Sequence, residues 1–157
     1  TARSDIKRKA CKEIGADWAI DSSSNDFVDE VMRITENLGV DVILDMVGGD
    51  YIKKNLKCAA VDGRVISIAF LAGAAREVNF MPMMIKRLTL TGSTLRPQNS
   101  EYKRKIAIDL REKVWPLIAS GKIKPVIHEC FSINHVADAH RMMEANQHIG
   151  KIIITID

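Results

Sequence analysis

The fold is decided by the stretch Gly39-Val40-Asp41-Val42-Ile43-Leu44-Asp45-Met46-Val47-Gly48-Gly49. Its β-branched run from Val40 to Leu44 predicts a strand, and the run from Val65 to Ala69 predicts a second one. Between them, the segment from Tyr51 to Ala60 has apolar residues at helical spacing. Strands that are apolar on both faces and joined through a helix predict a parallel sheet covered by helices on both sides.

Each predicted strand ends in a loop that contains glycine, Asp45 to Gly49 in the first case and Phe70 to Gly73 in the second. Ligands of open parallel sheets bind beyond the carboxyl ends of the strands, so we expect the functional site at these two loops. We interpret Asp45 as an anchor of its loop rather than as a catalytic base.

The rest of the chain continues the alternation of strands and helices. The predicted elements are a helix Asp5 to Ile14 capped by Ser4, a strand Asp17 to Ile20, a helix from a cap at Ser24 or Asn25 to about Asn37, a short helix Met81 to Lys86, an edge strand Leu88 to Thr94, a helix Glu101 to Ser120, a strand Ile127 to Phe131, a helix ending near Asn146 and a strand Lys151 to Ile156. The rhythm changes at Lys122 to Pro125, so we place a domain boundary there, with residues 1–121 before it and 122–157 after it.

The composition fits one domain, or one and a part, because the 157 residues are 46% hydrophobic and carry a net charge of +3. The basic residues are spread along the chain, which favours a solvated surface over nucleic-acid binding. Three widely spaced cysteines indicate reduced thiols in the cytoplasm, and no apolar run has the length of a membrane span. Neither the four histidines nor the cysteines have the spacing of metal ligands, so no metal site is predicted.

Several short motifs occur in a specific order along almost the whole chain. They are Lys12-Glu13-Ile14-Gly15-Ala16-Asp17, the stretch Gly39 to Gly49, Asp62-Gly63-Arg64-Val65, Leu117 to Pro125, Ala137-Asp138-Ala139-His140 and Gly150-Lys151-Ile152. This ordered set resembles the C-terminal half of the zinc-independent quinone oxidoreductases of the medium-chain dehydrogenase/reductase superfamily.

The resemblance implies a Rossmann-type α/β fold that is only partly present in this chain. The family's first strand and glycine-rich phosphate turn are expected upstream of Thr1, because no Gly-Xaa-Gly-Xaa-Xaa-Gly occurs here and the chain enters a helix almost at once. Residues 1–121 would then be a partial NADP-binding domain, and residues 122–157 the return segment of the catalytic domain. Such a fragment alone is expected to be inactive.

The resemblance also implies the reaction and the assembly. The expected activity is hydride transfer from NADPH to a small quinone or enal, with no catalytic nucleophile and no metal in this chain. The expected partner is a second copy, joined through the edge strand Leu88 to Thr94, whose unpaired backbone groups invite pairing.

Four positions are expected to meet the adenosine ribose. By resemblance, Ser4 and Lys7 match a Gly-Ser-Xaa-Xaa-Lys arrangement of NADPH-preferring members, and Arg3 stands where that glycine would be. A guanidinium suits a phosphate, so Arg3 adds to the preference for the 2′-phosphate of NADPH. Ser22 stands where the family often has a tyrosine, which removes a stacking or phosphate-binding phenol.

The other cofactor-binding positions implied by the resemblance lie at strand ends. They are Val47, Gly48 and Gly49 for the ribose or pyrophosphate, Phe70, Leu71, Leu95 and Arg96 for the nicotinamide end, and Asn146 and Lys151 for the phosphates. Two alternatives remain open from the sequence. One is a relative of the zinc-dependent alcohol dehydrogenases, and the other is a non-catalytic module for nucleotide binding or dimerisation.

Overall fold

The computed structural model describes residues 1–23 and 26–156, which form two compact units, one ending at Gln98 and the other beginning at Asn99. The elements of the first unit are α1 (Asp5–Glu13), α2 (Phe27–Ile34), β1 (Val40–Asp45), α3 (Tyr51–Cys58), β2 (Ala59–Ser67), α4 (Met81–Ile85) and β3 (Thr89–Gly92). Those of the second are α5 (Ser100–Asp109), a π-helical turn (Leu110–Val114), α6 (Trp115–Ala119), β4 (Ile127–Ser132), a 3₁₀ turn (Ile133–His135), α7 (Val136–Ala145) and β5 (Lys151–Thr155).

The first unit is built on a three-stranded parallel sheet in the order β1-β2-β3. Helix α3 connects β1 to β2, which confirms the predicted strand–helix–strand unit and the α/β fold class. Strand β3 is at an edge of this sheet, as its alternating sequence predicted. The three strands are parallel, so their carboxyl ends lie together at one end of the sheet.

The core of this unit lies between the sheet and helices α2, α3 and α4. Leu56 of α3 packs with Val65 of β2 and Leu88, while Phe27 of α2 packs near Cys58 at the end of α3. Ile43 of β1 contributes to both groups of side chains. This packing fixes the sheet against the helices and so determines where the loops at the strand ends emerge.

Within the first unit, helices α2, α3 and α4 do not cover both faces of the sheet as the sequence predicted. Val42 and Leu44 of β1 point away from the core and are 50% and 62% exposed, whereas Ile43 between them packs into it. Side chains alternate between the faces of a strand, so the apolar run of β1 supplies both a buried face and an open one. Helices α2, α3 and α4 all pack on the Ile43 side of the sheet.

Two local predictions in the first unit also differ from the structure. The strand predicted at Asp17 to Ile20 does not form, and the pairing next to it is a single parallel bridge between Ala2 and Asp21. The helix cap predicted at Ser24 or Asn25 lies outside the described residues. Asp26 caps α2 instead, accepting a hydrogen bond from the Val28 N–H.

Strand β2 begins earlier than the predicted Val65 and contains an irregularity in its pairing with β1. Asp62 has a left-handed φ of 63° there, and its carboxylate forms a two-point ion pair with Arg87. The Asp62 N–H also donates to the carbonyl of Lys86. These contacts hold the irregular start of β2 against the segment between α4 and β3.

The second unit contains a helical segment and a β4-α7-β5 unit with parallel strands. The helix predicted from Glu101 to Ser120 is interrupted by the π-helical turn, in which the Trp115 N–H donates to the carbonyl of Leu110. Pro116 has no N–H to give to a preceding carbonyl, so the regular helical ladder cannot run through this position. The boundary between the units precedes this segment, whereas the sequence placed a domain boundary after it; the assignment of residues 122–157 to a catalytic domain stays a prediction.

Within the ranges 1–23 and 26–156, no helix is both long enough and apolar enough to cross a membrane.

Candidate functional site

Two loops at the carboxyl ends of β1 and β2 form the centre of the candidate site. Their backbones are joined by three hydrogen bonds, from Leu71 N–H to Met46 O, from Ala72 N–H to Val47 O, and from Gly49 N–H to Gly73 O. Because neighbouring parallel strands end side by side, the predicted loops Asp45–Gly49 and Phe70–Gly73 are brought together as expected.

Asp45 holds the first loop in shape. Its side chain is buried, and Oδ1 accepts hydrogen bonds from the backbone N–H groups of Val47 at 2.7 Å and Gly48 at 3.2 Å. This confirms the interpretation of Asp45 as a loop anchor. Its Oδ2 is also buried and has no hydrogen-bond partner among the described residues.

Glycine is required at the turn of the first loop. Gly48 has a φ of +68°, and a Cβ there would lie 2.5 Å from Cδ1 of Phe70. Gly49 has a φ of +52°, and its Cβ would lie 3.2 Å from the carbonyl oxygen of Ala72. Both glycines are buried, and their missing side chains let the two loops approach closely.

A cleft of about 440 Å³ opens beside these loops. It is lined by Gly49, Asp50, Ala72, Gly73, Ala74 and Arg76. Asp50 pairs with Lys53 at 3.2 Å, whereas Arg76 is exposed and adds a cation to the wall of the cleft. The sequence reasoning missed Arg76, and its place three residues beyond Gly73 is the signal that could have indicated it.

The four positions predicted for the adenosine ribose fall around the bridge between Ala2 and Asp21. The Ala2 N–H donates to Ile20 O at 3.0 Å, and the Ser22 N–H donates to Ala2 O at 3.4 Å. The bridge joins Ala2 and Asp21, so Arg3 and Ser4 on one segment and Ser22 on the other follow it directly. Ser4 occupies the N-cap position of α1, although its hydroxyl accepts no capping hydrogen bond from the described part of that helix, and Lys7 lies half-buried in the first turns.

The remaining predicted positions follow strands of the first unit or belong to the second unit. Phe70 and Leu71 are 55% and 79% exposed at the tip of the second loop, and Leu95 and Arg96 follow β3 in the same unit. Asn146 and Lys151 belong to the second unit, where Asn146 ends α7 in the left-handed conformation and Lys151 begins β5. Phe70, Leu71, Leu95 and Arg96 thus follow strands of the first unit, whereas Asn146 and Lys151 lie at the ends of elements of the second unit.

In the described part of the chain, no group of three or more His, Cys, Asp or Glu side chains could hold a metal ion. The most strongly perturbed thiol there is structural, since burial at the end of α3 raises the pKa of Cys58 to about 11. A thiol with such a pKa stays protonated near neutral pH and is a poor nucleophile.

A parallel sheet with glycine loops and a cleft beyond its carboxyl ends is typical of the nucleotide-binding domains of dehydrogenases. The family model described as zinc-binding dehydrogenase matches residues 14–154, and the chain belongs to this family. Its fold is the corresponding part of a Rossmann-type domain.

The relatives in this family have different names. The chain is 31% identical to a phenolphthiocerol/phthiocerol polyketide synthase protein of Mycobacterium tuberculosis, over 99% of this chain and 7% of that protein. It is 26% identical to quinone oxidoreductase-like protein 2 of Bos taurus, over 99% of this chain and 44% of that protein. A solved NAD-dependent alcohol dehydrogenase matches with a TM-score of 0.81 and 27% identity, over 99% of this chain and 43% of that one. The chain therefore spans less than half the length of each.

Proposed function

We propose that this chain supplies part of the cofactor-binding domain of an oxidoreductase that transfers hydride from NADPH to a quinone or a related conjugated carbonyl. The observation that carries the proposal is the pair of hydrogen-bonded loops at the carboxyl ends of β1 and β2, with a cleft beside them that Gly49, Gly73 and Arg76 line. A bound nicotinamide nucleotide would supply the hydride, and the chain's residues would hold and orient it.

The residues around the cleft fit such a cofactor. Gly49 and Gly73 both line the cleft, and a Cβ on Gly73 would meet nothing within 4 Å, so a ribose or pyrophosphate can approach the backbone closely there. Arg76 on the wall of the cleft adds positive charge toward a phosphate. No acid–base residue is needed here, since hydride transfer depends chiefly on positioning the two reactants.

The preference for NADPH is proposed from the residues near the Ala2–Asp21 bridge. Arg3 is exposed, and Lys7 lies one helical turn beyond Ser4. An acidic residue at the adenosine-ribose position would favour the 2′-hydroxyl of NADH, whereas this chain has the cations Arg3 and Lys7 there. These residues support recognition of the 2′-phosphate that only NADPH carries.

The quinone as acceptor is proposed from the sequence resemblance and from the similarity to quinone oxidoreductase-like protein 2 of Bos taurus. The alcohol dehydrogenase with a similar fold supports a runner-up, the oxidation of an alcohol with NAD⁺. The location in the cytoplasm is part of the same proposal.

The experiment compares kcat/KM for NADPH and NADH with a quinone acceptor in the full product of the gene, and repeats it with the variant Lys7→Ala. We expect NADPH to be preferred, and Lys7→Ala to lower kcat/KM for NADPH on the order of tenfold without a comparable change for NADH. The purified 157-residue chain is assayed in parallel and is expected to show negligible quinone reduction.

Two results would contradict the proposal. Equal use of both cofactors by the unaltered protein would remove the NADPH preference. Alcohol oxidation with NAD⁺, in the absence of quinone reduction, would replace the proposed reaction by the runner-up.

A further inference from the structure

We propose that Arg8 is a positioning residue for the nucleotide, because its ion pair with Asp21 fixes the shape of the Arg3–Ser4 turn. This inference rests on the proposed binding of NADPH and adds a residue that the sequence reasoning did not include. Arg8 lies on α1, one turn after Ser4, and its side chain is only 18% exposed.

The guanidinium of Arg8 binds the backbone on which Arg3 and Ser4 stand. Its Nη1 donates to the carbonyl oxygens of Ala2 and Arg3, each at 3.3 Å. Its Nη2 contacts the carboxylate of Asp5 in the first turn of the same helix. The planar fork of an arginine can make all these contacts at once, which the single ammonium of a lysine cannot reproduce.

The second acidic partner of Arg8 is Asp21, whose carboxylate is bound through both of its oxygens. Arg8 Nη1 lies 3.0 Å from Asp21 Oδ2. Asp21 Oδ1 accepts hydrogen bonds from the backbone N–H of Ser23 at 2.8 Å and from its hydroxyl at 2.6 Å. One ion pair therefore connects the turn that follows Ala2 to the turn that contains Ser22.

The ion pair reinforces a short connection between two segments. The backbone hydrogen bonds of Ala2 with Ile20 and Ser22 also join them, but these bonds end before Arg3 and Ser4. Without Arg8, the carbonyls of Ala2 and Arg3 each lose a donor and Asp21 loses a cation. Arg3 and Ser4 would then sample other positions, and a nucleotide would have to order them on binding.

The test measures binding of adenosine 2′,5′-bisphosphate and of 5′-AMP to the 157-residue chain by calorimetry, with Arg8→Met, Asp21→Asn and the double variant. The two probes share the adenosine 5′-phosphate and differ in the 2′-phosphate. We expect the unaltered chain to prefer the bisphosphate. Arg8→Met should reduce that preference about tenfold, because a charge-assisted contact that orders the turn is lost. The double variant should lose no more of the preference for the bisphosphate than Arg8→Met alone, because both residues act as one unit.

Arg104→Met is the matched control, since Arg104 also forms an ion pair with an acidic residue three positions away but belongs to α5 and not to this turn. An unchanged preference in Arg8→Met overturns the positioning role, provided the unaltered chain discriminates between the probes. Equal loss of affinity for both probes would instead show a merely structural role and also overturns it. If the unaltered chain does not prefer the bisphosphate, the proposed NADPH site and this inference both fail.

Discussion

At the scale of single residues, the candidate site depends on small side chains and short polar contacts. The sequence predicted Gly48 and Gly49 as the turn because two glycines follow an apolar run, and it predicted Asp45 as the anchor of that turn. It could not predict that Phe70 lies against Gly48, since that contact joins two loops that are separate in the sequence. The role of Arg8 was hidden for the same reason, because Asp21 is its partner only in the folded chain.

The first prediction concerns the contact between Gly48 and Phe70. Gly48→Ala should lower the free energy of unfolding by about 2–4 kcal/mol, since it adds a steric clash to a left-handed backbone. Gly73→Ala is the control, because Gly73 has a φ of +81° but open space around a Cβ, and should cost about 1–2 kcal/mol. Urea unfolding of both variants measures the difference. Equal losses would show that the clash with Phe70 does not matter.

The second prediction concerns the pH dependence of stability through Cys58. The pKa of this buried thiol is raised to about 11 in the folded chain, above its ordinary value of 9.0. The folded state therefore favours the neutral thiol, so its contribution is fully present below pH 9 and is lost as the pH rises from about 9 toward 11. We expect the unaltered chain to lose more stability than Cys58→Ala between about pH 8 and pH 10.5 in urea unfolding. Parallel pH curves for the two proteins would contradict the raised pKa.

At the scale of elements, the periodicity of the sequence identified most helices and strands, including the edge position of β3. It failed where an element depends on a neighbour. The segment Asp17 to Ile20 has the composition of a strand but only the bridge at Asp21 forms, because pairing is decided by the adjacent segment and not by local preference. Likewise, the apolar residues of β1 predicted two covered faces, although Val42 and Leu44 are exposed.

The third prediction concerns the end of α3. The Nζ of Lys86 donates to the carbonyl oxygens of Lys57 and Ala59, both at 2.8 Å, and so places a positive charge at the negative end of this helix. Lys86→Met should lower the free energy of unfolding by about 1–3 kcal/mol, because charged hydrogen bonds to carbonyls at the end of α3 and the start of β2 are lost. Lys105→Met, at an exposed position of α5, should have almost no effect. Similar losses in both variants would contradict the capping role of Lys86.

At the scale of the whole molecule, the sequence predicted the α/β class because the ordered strands and helices are local features, and the family model that matches residues 14–154 agrees with it. The structure divides into compact units at Gln98, before the helical segment, because compactness depends on which elements pack together. The domain bounds 1–121 and 122–157 stay a prediction.

The fourth prediction is that two copies pair through β3, which we propose as the dimer interface. All four residues of β3 are exposed, and within the described sheet the strand pairs with β2 on one side. A proline at position 91 is not a suitable way to block pairing between copies. The Ser93 N–H donates to Ser67 O, so the N–H of Thr91 also points to β2, and its loss would damage the sheet itself. We therefore use Thr91→Glu, which brings two like charges together across a twofold axis.

Light scattering should show a dimer for the unaltered chain and a monomer for Thr91→Glu. Gln147→Glu adds the same charge at an exposed position of the second unit and should leave the dimer intact. A monomeric unaltered chain, or a Thr91→Glu variant that remains fully dimeric, would rule out this interface.

The most direct test of the central claim is to map where NADPH binds, by titrating it into the ¹⁵N-labelled 157-residue chain and following the amide resonances by NMR. Saturable shifts are expected for Gly49 and Gly73 beside the cleft and for Ser4 and Ser22 near the Ala2–Asp21 bridge, while the resonances of α5 stay in place. Shifts confined to other residues, or resonances of both loops that do not move at saturating NADPH, would contradict the assignment of the nucleotide site to these strand ends.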